Sequence, residues 1–183
     1  MYYASLYYTD RAVRPNDVVE TESFVLSSIH RQENTDHKVK LTAVFEALAK
    51  IAQKQKVVLP LHPRTVNKLQ DFNIVVNKNI QILEPVGYFE IIWLLLNCTC
   101  VITDSGGLQK EAFFFKKPCI TVREETEWVE LVKNGVNFLV GPNKKTIVNT
   151  YTDLRNIVFD FKENLYGMGE TAKKIINTLV DYK

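Results

Sequence analysis

Short apolar runs alternate with longer stretches of helical period along most of this chain. The runs are rich in β-branched residues and predict buried strands, whereas the stretches between them predict helices. Predicted strands cover residues 24–29, 56–61, 80–83, 99–103, 118–122 and 137–140. Predicted helices cover residues 36–53, 65–71, 88–96, a segment after Ser105, 127–133, 144–159 and 170–182. This alternation predicts an α/β fold, in which a parallel sheet carries helices on both faces.

Three segments carry more specific expectations. The helix predicted over 36–53 has apolar residues on or near one face, namely Val39, Phe45, Leu48 and Ile51. The helix predicted over 88–96 is apolar on all sides, which indicates burial. The first 20 residues resemble part of a helix with no strand before it, and this helix has an aromatic face formed by Tyr2, Tyr3, Tyr7 and Tyr8. Such a face needs a partner, either the domain's own sheet or another part of a larger protein.

The unusual polar clusters follow the predicted strands. Ligands of parallel α/β sheets bind at the carboxyl ends of the strands, so this edge is the expected site. The residues at that edge are His30 and Arg31, His62 and Arg64, residues 85–89, residues 105–107, and residues 123–127. Their coincidence at one edge favours a binding site more strongly than any one motif does.

The most informative motif is TDSGGLQKE at residues 103–111, directly after a predicted strand. Ser105 can cap the helix that follows, and the glycines 106 and 107 allow a ligand to approach the backbone closely. The unpaired amides and the positive end of the helix dipole then form an anion site. Glu111 lies about 9 Å further along the helix, where its carboxylate can accept hydrogen bonds from hydroxyl groups. An ordinary strand-to-helix turn is the alternative.

The other strand ends carry weaker signals. His30 can donate to a phosphate or assist proton transfer, and Glu33 can orient either His30 or Arg31. A lone histidine at such a position is often structural, but the polar neighbours of His30 favour a functional loop. Arg64 suits a diphosphate or a sugar carboxylate through its bidentate fork. In the charged turn at 123–127, Thr126 is a plausible cap for the next helix.

Composition limits the class of protein. The chain has 183 residues, 46% of them hydrophobic, and a net charge of +2, which fits one domain without a nucleic-acid surface or a membrane span. The odd cysteine count predicts reduced, buried thiols in a cytoplasmic protein, with Cys98 placed before its strand. The histidines show no metal-ligand spacing with the cysteines. The sequence contains no G-x-S-x-G, P-loop or G-x-G-x-x-G motif, which argues against hydrolase, kinase-type and dehydrogenase functions.

Five ordered motifs resemble a known family. They are SIHRQEN (28–34), PLHPRT (60–65), TDSGGLQKEA (103–112), REETEWVE (123–130) and YGMGETA (166–172). Together they resemble the C-terminal domain of non-hydrolysing UDP-N-acetylglucosamine 2-epimerases and of relatives that act on modified UDP-2-acetamido sugars. The resemblance implies a Rossmann-like domain that forms one half of a two-domain fold of the GT-B type.

The resemblance also implies roles for individual residues in binding a UDP-sugar. His30 would be catalytic, beside the diphosphate or the reacting sugar. The binding residues would be Ser105, Gly106 and Gly107 at the diphosphate, Glu111 at the ribose, residues from Tyr88 to Ile91 at the uracil, and Arg64 and Arg123. The implied reaction inverts C2 of the sugar by elimination and re-addition of UDP, with no cofactor or metal. Its implied setting is cell-surface polysaccharide biosynthesis.

Two departures from the family pattern qualify these expectations. Trp128 and Val129 stand where many members carry Arg-Pro, a form that looks more like the branch acting on UDP-2,3-diacetamido uronic acids, in which Arg64 would meet a sugar carboxylate. The family's N-terminal domain, with its essential carboxylates, is not matched. We therefore expect residues 1–20 to be a helical lead-in and residues 21–183 to be a UDP-binding domain that is inactive alone.

Two other functions remain open at this point. The chain can be the donor-binding domain of a GT-B glycosyltransferase, or a UDP-binding module without catalysis. We also expect a homo-oligomer, formed through residues 1–15 or 170–183, because apolar side chains in these segments lack an evident partner surface.

Overall fold

A six-stranded parallel sheet forms the centre of the molecule. The computed structural model describes residues 2–18, 23–161, 165–167 and 170–182. The strands are β1 (Phe24–Ser28), β2 (Lys56–Pro60), β3 (Ile80–Leu83), β4 (Cys98–Thr103), β5 (Cys119–Thr121) and β6 (Asn137–Leu139). They lie in the order β3-β2-β1-β4-β5-β6, and every neighbouring pair is parallel. The prediction of a parallel α/β sheet is therefore confirmed.

Helices connect the strands and cover both faces of the sheet. They are α1 (Tyr2–Tyr7), α2 (Gln32–Thr35), α3 (Lys38–Ile51), α4 (Pro63–Asp71), α5 (Tyr88–Asn97), α6 (Gly106–Phe114), α7 (Val129–Lys133), α8 (Lys144–Leu154) and α9 (Thr171–Asp181). Apolar residues of α3, α4 and α8 pack on one face of the sheet, and those of α5 and α6 pack on the other.

The alternation of side chains along each strand builds these two cores. In β1, Val25 belongs to the core under α3, whereas Phe24 and Leu26 belong to the core under α5. In β4, Ile102 belongs to the core under α3, and Val101 belongs to the core under α5. Since successive residues of a strand point to opposite faces, strands buried on both sides are expected to be apolar throughout. This explains why they were recognisable as continuous apolar runs.

The strand order reverses direction between β1 and β4, and this places the candidate site. Connections from β1 run outward to β2 on one side, while β4 begins the other half of the sheet. Ser28 and Thr103 pair at the carboxyl ends of the two strands, so the loops that follow them diverge from neighbouring points. In a sheet with this order, the crevice between two such loops is the usual ligand position.

Most predicted elements are present, with some errors at their ends. Cys98 begins β4, so its predicted position before the strand was wrong. The helix predicted over 144–159 ends at Leu154, because the chain turns there. Val39 does not share the packed face of α3, since its side chain is 83% exposed. The helix α5 is buried only in part, with Ile92 inside and Leu96 exposed.

The N-terminal helix packs against the domain's own helices. The ring of Tyr2 lies 5.0 Å from that of Phe114 in α6, and the ring of Tyr8 lies 5.5 Å from that of Phe89 in α5. The predicted helix is thus confirmed, and part of its aromatic face has a partner within this chain. The predicted domain boundary between residues 20 and 21 lies outside the described residues, as do residues 168–169 of the last motif.

All three cysteines are free and buried, in agreement with the sequence prediction. Burial raises the pKa of Cys98 and of Cys119 to about 12, so these thiols are protonated at neutral pH. Among the described residues, no helix is both long and apolar enough to cross a membrane.

The helix α3 offers a direct test of this packing. Val44 is fully buried, and Val44→Ala should lower the free energy of unfolding by about 2 kcal/mol, because two methyl groups leave the core. The matched change Val39→Ala, on the exposed side of the same helix, should alter it by less than about 0.5 kcal/mol. Urea unfolding of the two variants measures both values. Equal losses would show that α3 packs in another orientation.

Candidate functional site

A buried carboxylate joins the two loops of the crevice. Asp104, directly after β4, is fully buried. Its two oxygens accept hydrogen bonds from the backbone amides of His30 and Arg31, at 3.0 and 3.1 Å. Oδ2 also accepts from Nδ2 of Asn34 at 3.0 Å, and the same amide group donates to the Val122 carbonyl. The loop after β1 is thereby fixed to the loops after β4 and β5.

The imidazole of His30 lies at the mouth of this crevice. Its Nδ1 atom is 3.3 Å from Oγ of Ser28 and 3.9 Å from Oδ1 of Asp104, and its ring centre is 5.6 Å from that of His62. Burial lowers the pKa of His30, and the nearby Asp104 carboxylate opposes this effect only in part. The ring is therefore neutral at pH 7 and can accept or donate a proton.

The turn after β4 leads directly into α6, and Ser105 caps this helix. Oγ of Ser105 accepts from the amide of Leu108 at 3.4 Å, which confirms Ser105 as the cap of α6. The amides of Gly106 and Gly107 lie in the first helical turn, where a helix provides no carbonyl partner for them. Gly106 is buried and Gly107 is exposed, so the turn is open on one side.

Hydrogen bonds of the Gln109 side chain connect this turn to neighbouring segments. The side chain of Gln109 is buried and donates to the Ser105 carbonyl at 3.2 Å. Its Oε1 atom accepts from Oγ1 of Thr126 at 2.7 Å and from Nδ2 of Asn137 at 3.0 Å. The helix α7 begins at Val129 with Trp128 at its cap position, so Thr126 is not the cap residue that was predicted. The Thr126 hydroxyl donates to Gln109 and also accepts from the backbone amide of Trp128 at 3.2 Å.

Trp128 fixes the first turn of α6 from the other side. Its indole Nε1 donates to the Gly106 carbonyl at 2.7 Å. The ammonium group of Lys110 lies 4.2 Å from the Trp128 ring and 4.2 Å from the Tyr166 ring, so it is held between two aromatic faces. The tryptophan that distinguishes this chain from the common Arg-Pro pattern thus contributes to the position of the turn.

Four charged side chains form a closed ring beside Gly106. Arg31 Nη2 donates to Glu127 Oε1 at 3.4 Å, and Arg123 Nη1 donates to Glu127 Oε2 at 2.6 Å. The Glu33 carboxylate lies 4.0 Å from Arg31 and 3.9 Å from Arg123. Of the two partners that the sequence left open for Glu33, it thus lies near Arg31, and Arg123 lies at the same edge of the sheet as residues 105–107.

Glu111 and Tyr88 meet on the other side of α6. Burial raises the pKa of Glu111, while a hydrogen bond from the Tyr88 hydroxyl opposes this shift. Tyr88 also lies within 3.4 Å of Oγ of Ser5. Ile91 is half-buried and packs against the core under α5. The structure therefore brings Glu111 and Tyr88 together, while Ile91 supports the helix that carries Tyr88.

Arg64 is engaged by a residue that the sequence argument did not consider. Both oxygens of Asp36 accept from Arg64 Nη2 at 2.8 Å, and Nε donates to Oγ1 of Thr35 at 3.1 Å. Hydrogen bonding to Arg64 lowers the pKa of Asp36. A substrate carboxylate would compete with Asp36 for this guanidinium group.

Sequence reasoning missed the residues that organise the crevice. Asp104 and Gln109 both lie within the TDSGGLQKE motif, and Asn34 ends the HRQEN motif, but only their neighbours were assigned roles. The signal was the presence of a polar residue where the apolar pattern requires burial, since such a group needs several hydrogen bonds. Among the described residues, no group of histidine, cysteine or acidic side chains is arranged to hold a metal ion.

Several known proteins are similar to this chain in sequence and fold. The chain is 44% identical to a UDP-2,3-diacetamido-2,3-dideoxy-D-glucuronate 2-epimerase of Pseudomonas aeruginosa, with 96% of the chain and 49% of that protein covered. It is 38% identical to a UDP-N-acetylglucosamine 2-epimerase of Methanocaldococcus jannaschii, with 90% and 46% covered. The crystal structure of the M. jannaschii enzyme with UDP-GlcNAc and UDP matches 98% of this chain and 52% of its own, with a TM-score of 0.86 and 34% identity. An E. coli heptosyltransferase, 14% identical with a TM-score of 0.55, shares the fold alone.

The sheet order and the polar crevice define a Rossmann-like domain, of the kind found in GT-B proteins. The chain belongs to the UDP-N-acetylglucosamine 2-epimerase family, which it matches over residues 2–180. It spans about half the length of the relatives described above.

The lowered pKa of His30 predicts a pH dependence of stability. In the unfolded state His30 takes up a proton near the ordinary histidine pKa of about 6.5, whereas in the folded state it does so only at lower pH. The free energy of unfolding should therefore fall as the pH drops below about 6.5. His30→Gln should reduce this loss, measured as the free energy of unfolding between about pH 7 and pH 5. The exposed His37→Gln is the matched control. An NMR titration that gave His30 a pKa of 6.5 or higher would contradict the assignment.

Proposed function

We propose that this chain is the UDP-binding half of a 2-epimerase that acts on a UDP-2-acetamido sugar. The observation that carries the proposal is the hydrogen bonding of Asp104, which joins the His30 loop to the Ser105 turn at the crevice between β1 and β4. Family membership supports the same function, as does the binding of UDP-GlcNAc and UDP by the M. jannaschii relative.

The diphosphate is assigned to the first turn of α6. The amides of Gly106 and Gly107 and the positive end of the helix dipole favour a negatively charged group there. Arg31 and Arg123 lie beside the turn, and arginine matches phosphate oxygens through paired N–H groups. Ser105 shapes the turn through its cap, so its role in this proposal is to present the amides.

The nucleoside is assigned to the groove between α5 and α6. The Glu111 carboxylate is partly buried, and hydroxyl groups of a ribose would restore the hydrogen bonds that burial removes. Tyr88, exposed over 41% of its surface, offers a ring on which uracil can stack. Ile91 keeps a supporting position in this proposal.

His30 is assigned to the chemistry near the leaving group. As a neutral imidazole held by Ser28 and Asp104, it can donate to a phosphate oxygen or move a proton during elimination and re-addition of UDP. A hydrogen bond from its own backbone amide, together with the weaker effect of Arg123, lowers the pKa of Glu127, which makes it an ionised partner of the arginines and a poor general acid. We therefore propose that proton transfer at C2 needs carboxylates from the half of the relatives that this chain does not match, and that the chain alone is inactive.

The proposed sugar preference is based on Trp128, in the motif REETEWVE (123–130). Trp128 contacts the phosphate turn, and the 44% identical relative carries a name that specifies a diacetamido glucuronate. We propose a UDP-2,3-diacetamido uronic acid as substrate, with Arg64 meeting the sugar carboxylate in exchange for Asp36. A GT-B glycosyltransferase donor domain is the alternative that the fold alone would allow.

The wider setting is part of the same proposal. Free thiols fit a reducing cytoplasm, and a UDP-2-acetamido sugar fits cell-surface polysaccharide biosynthesis. The helix α9 exposes an apolar stripe of Ile175, Ile176, Leu179 and Val180. We propose self-association through this stripe, because exposed apolar surface of this kind favours burial against a partner.

UDP binding tests the proposed function. Calorimetry should show that the chain binds UDP, and that Glu111→Gln weakens binding about tenfold, because a carboxylate accepts stronger hydrogen bonds from ribose hydroxyls than an amide does. The matched control is Glu46→Gln, which alters an exposed carboxylate paired with Lys144. Equal affinity for UDP and ADP, or an unchanged affinity in Glu111→Gln, would contradict the assigned uridine site.

A further inference from the structure

The phosphate turn already has an anion beside it. A Cβ atom built on Gly106 would lie only 2.9 Å from Oε1 of Glu127, so this carboxylate lies directly against the first residue of α6. The same carboxylate is held by Arg31 at 3.4 Å and by Arg123 at 2.6 Å. Glu127 thus pairs with the two cations that a diphosphate would use, and it lies against the same helix end.

The local charge balance makes the two anions competitors. The ring contains the guanidinium groups of Arg31 and Arg123 and the carboxylates of Glu33 and Glu127, so its formal charge is already balanced. Adding a diphosphate without removing a carboxylate would place like charges within a few ångströms of each other, which is strongly unfavourable. Glu127 is the carboxylate at Gly106, and its side chain is 45% exposed, so it has room to leave.

Arg123 retains an unused donor in this arrangement. Its side chain is only 6% exposed, and its Nε–H group has no hydrogen-bond partner within the described part of the chain. Glu33 is 3.9 Å from that nitrogen, beyond hydrogen-bonding distance. A buried guanidinium donor without an acceptor is costly, and a ligand oxygen at the turn would satisfy it.

We propose that the Glu127 carboxylate is a resident counter-anion of the phosphate turn, and that an incoming diphosphate displaces it from Gly106, Arg31 and Arg123. The returning carboxylate then assists release of the diphosphate. The inference rests on the proposed function only for the identity of the ligand, the diphosphate of UDP. Glu127 acts in it as a residue that tunes affinity.

The test compares two ligands on matched variants. Calorimetry with UDP and with inorganic pyrophosphate is carried out on the unmodified chain, on Glu127→Gln and on Glu125→Gln. Glu127→Gln should bind both ligands about tenfold more tightly, because the competing charge is gone. Glu125→Gln removes the same charge from an exposed neighbour and should change affinity less than about twofold.

A purely structural role for Glu127 predicts the opposite result. Loss of the Arg123 pair would then weaken both folding and binding, whereas displacement predicts tighter binding even when urea unfolding shows lower stability. Glu127→Asp serves as a second variant, since it keeps the charge but shortens its reach to Gly106, and it should gain about threefold in affinity.

The outcomes separate this inference from the proposed function. Unchanged or weaker binding of both ligands by folded Glu127→Gln would overturn the inference, while preference for UDP over pyrophosphate would still support the uridine site. A gain for both ligands with no preference for UDP would support displacement and contradict the proposed function. Absence of binding by every variant would contradict both.

Discussion

The hydrogen bonds of Asp104 are the constraint on which the site depends. One buried carboxylate accepts from the amides of His30 and Arg31 and from the side chain of Asn34. These donors lie in the segment after β1, in the loop and the first turn of α2, whereas Asp104 follows β4. The sheet places the two strand ends side by side, and this carboxylate binds three donors of the β1 segment at once. The positions of the His30 imidazole and of Arg31 both depend on these bonds to Asp104.

Charge compensation around the crevice explains how so many ionisable groups coexist there. The buried Asp104 is satisfied by several N–H donors, as a buried carboxylate must be. The charges of Arg31 and Arg123 are balanced by Glu33 and Glu127 at the surface of the crevice, although the Nε–H group of Arg123 has no acceptor among the described residues. The resulting site is nearly neutral in charge, and its helix end and exposed Gly107 make it suited to exchange one anion for another. In the proposed function, a site built in this way binds a nucleotide diphosphate without retaining it irreversibly.

The fold was predictable because its strands are buried on both faces. Runs such as Val57, Val58 and Leu59 have no polar member, so their positions and the parallel sheet followed from the sequence. The ends of helices were less predictable, because tertiary contacts decide them. Thr126 accepts from the backbone amide of Trp128, as its residue type indicates, but its hydroxyl also donates to Gln109 in another helix, and no local pattern reveals that second bond.

The site was predictable in location and only partly in its connections. Ser105 caps α6 as its sequence position indicates, and Glu111 of the same helix lies next to Tyr88 of α5. The partner of Arg64 is Asp36, which is distant in sequence, and the pairing of Arg123 with Glu127 depends on side-chain rotamers. Composition and spacing do not predict either contact. The role of Asp104 was open to inference, because a carboxylate at the end of a buried strand requires donors from a neighbouring loop.

Hydrogen exchange of the loop amides tests the central claim most directly. In Asp104→Ala, both carboxylate oxygens are lost, so the amides of His30 and Arg31 and the side chain of Asn34 lose this acceptor. The account predicts that the Arg31 amide exchanges at least about tenfold faster than in the unmodified chain, while amides of β2 and β4 keep their protection. Unchanged protection of the Arg31 amide would show that the loop after β1 is held by other contacts, and would contradict the account.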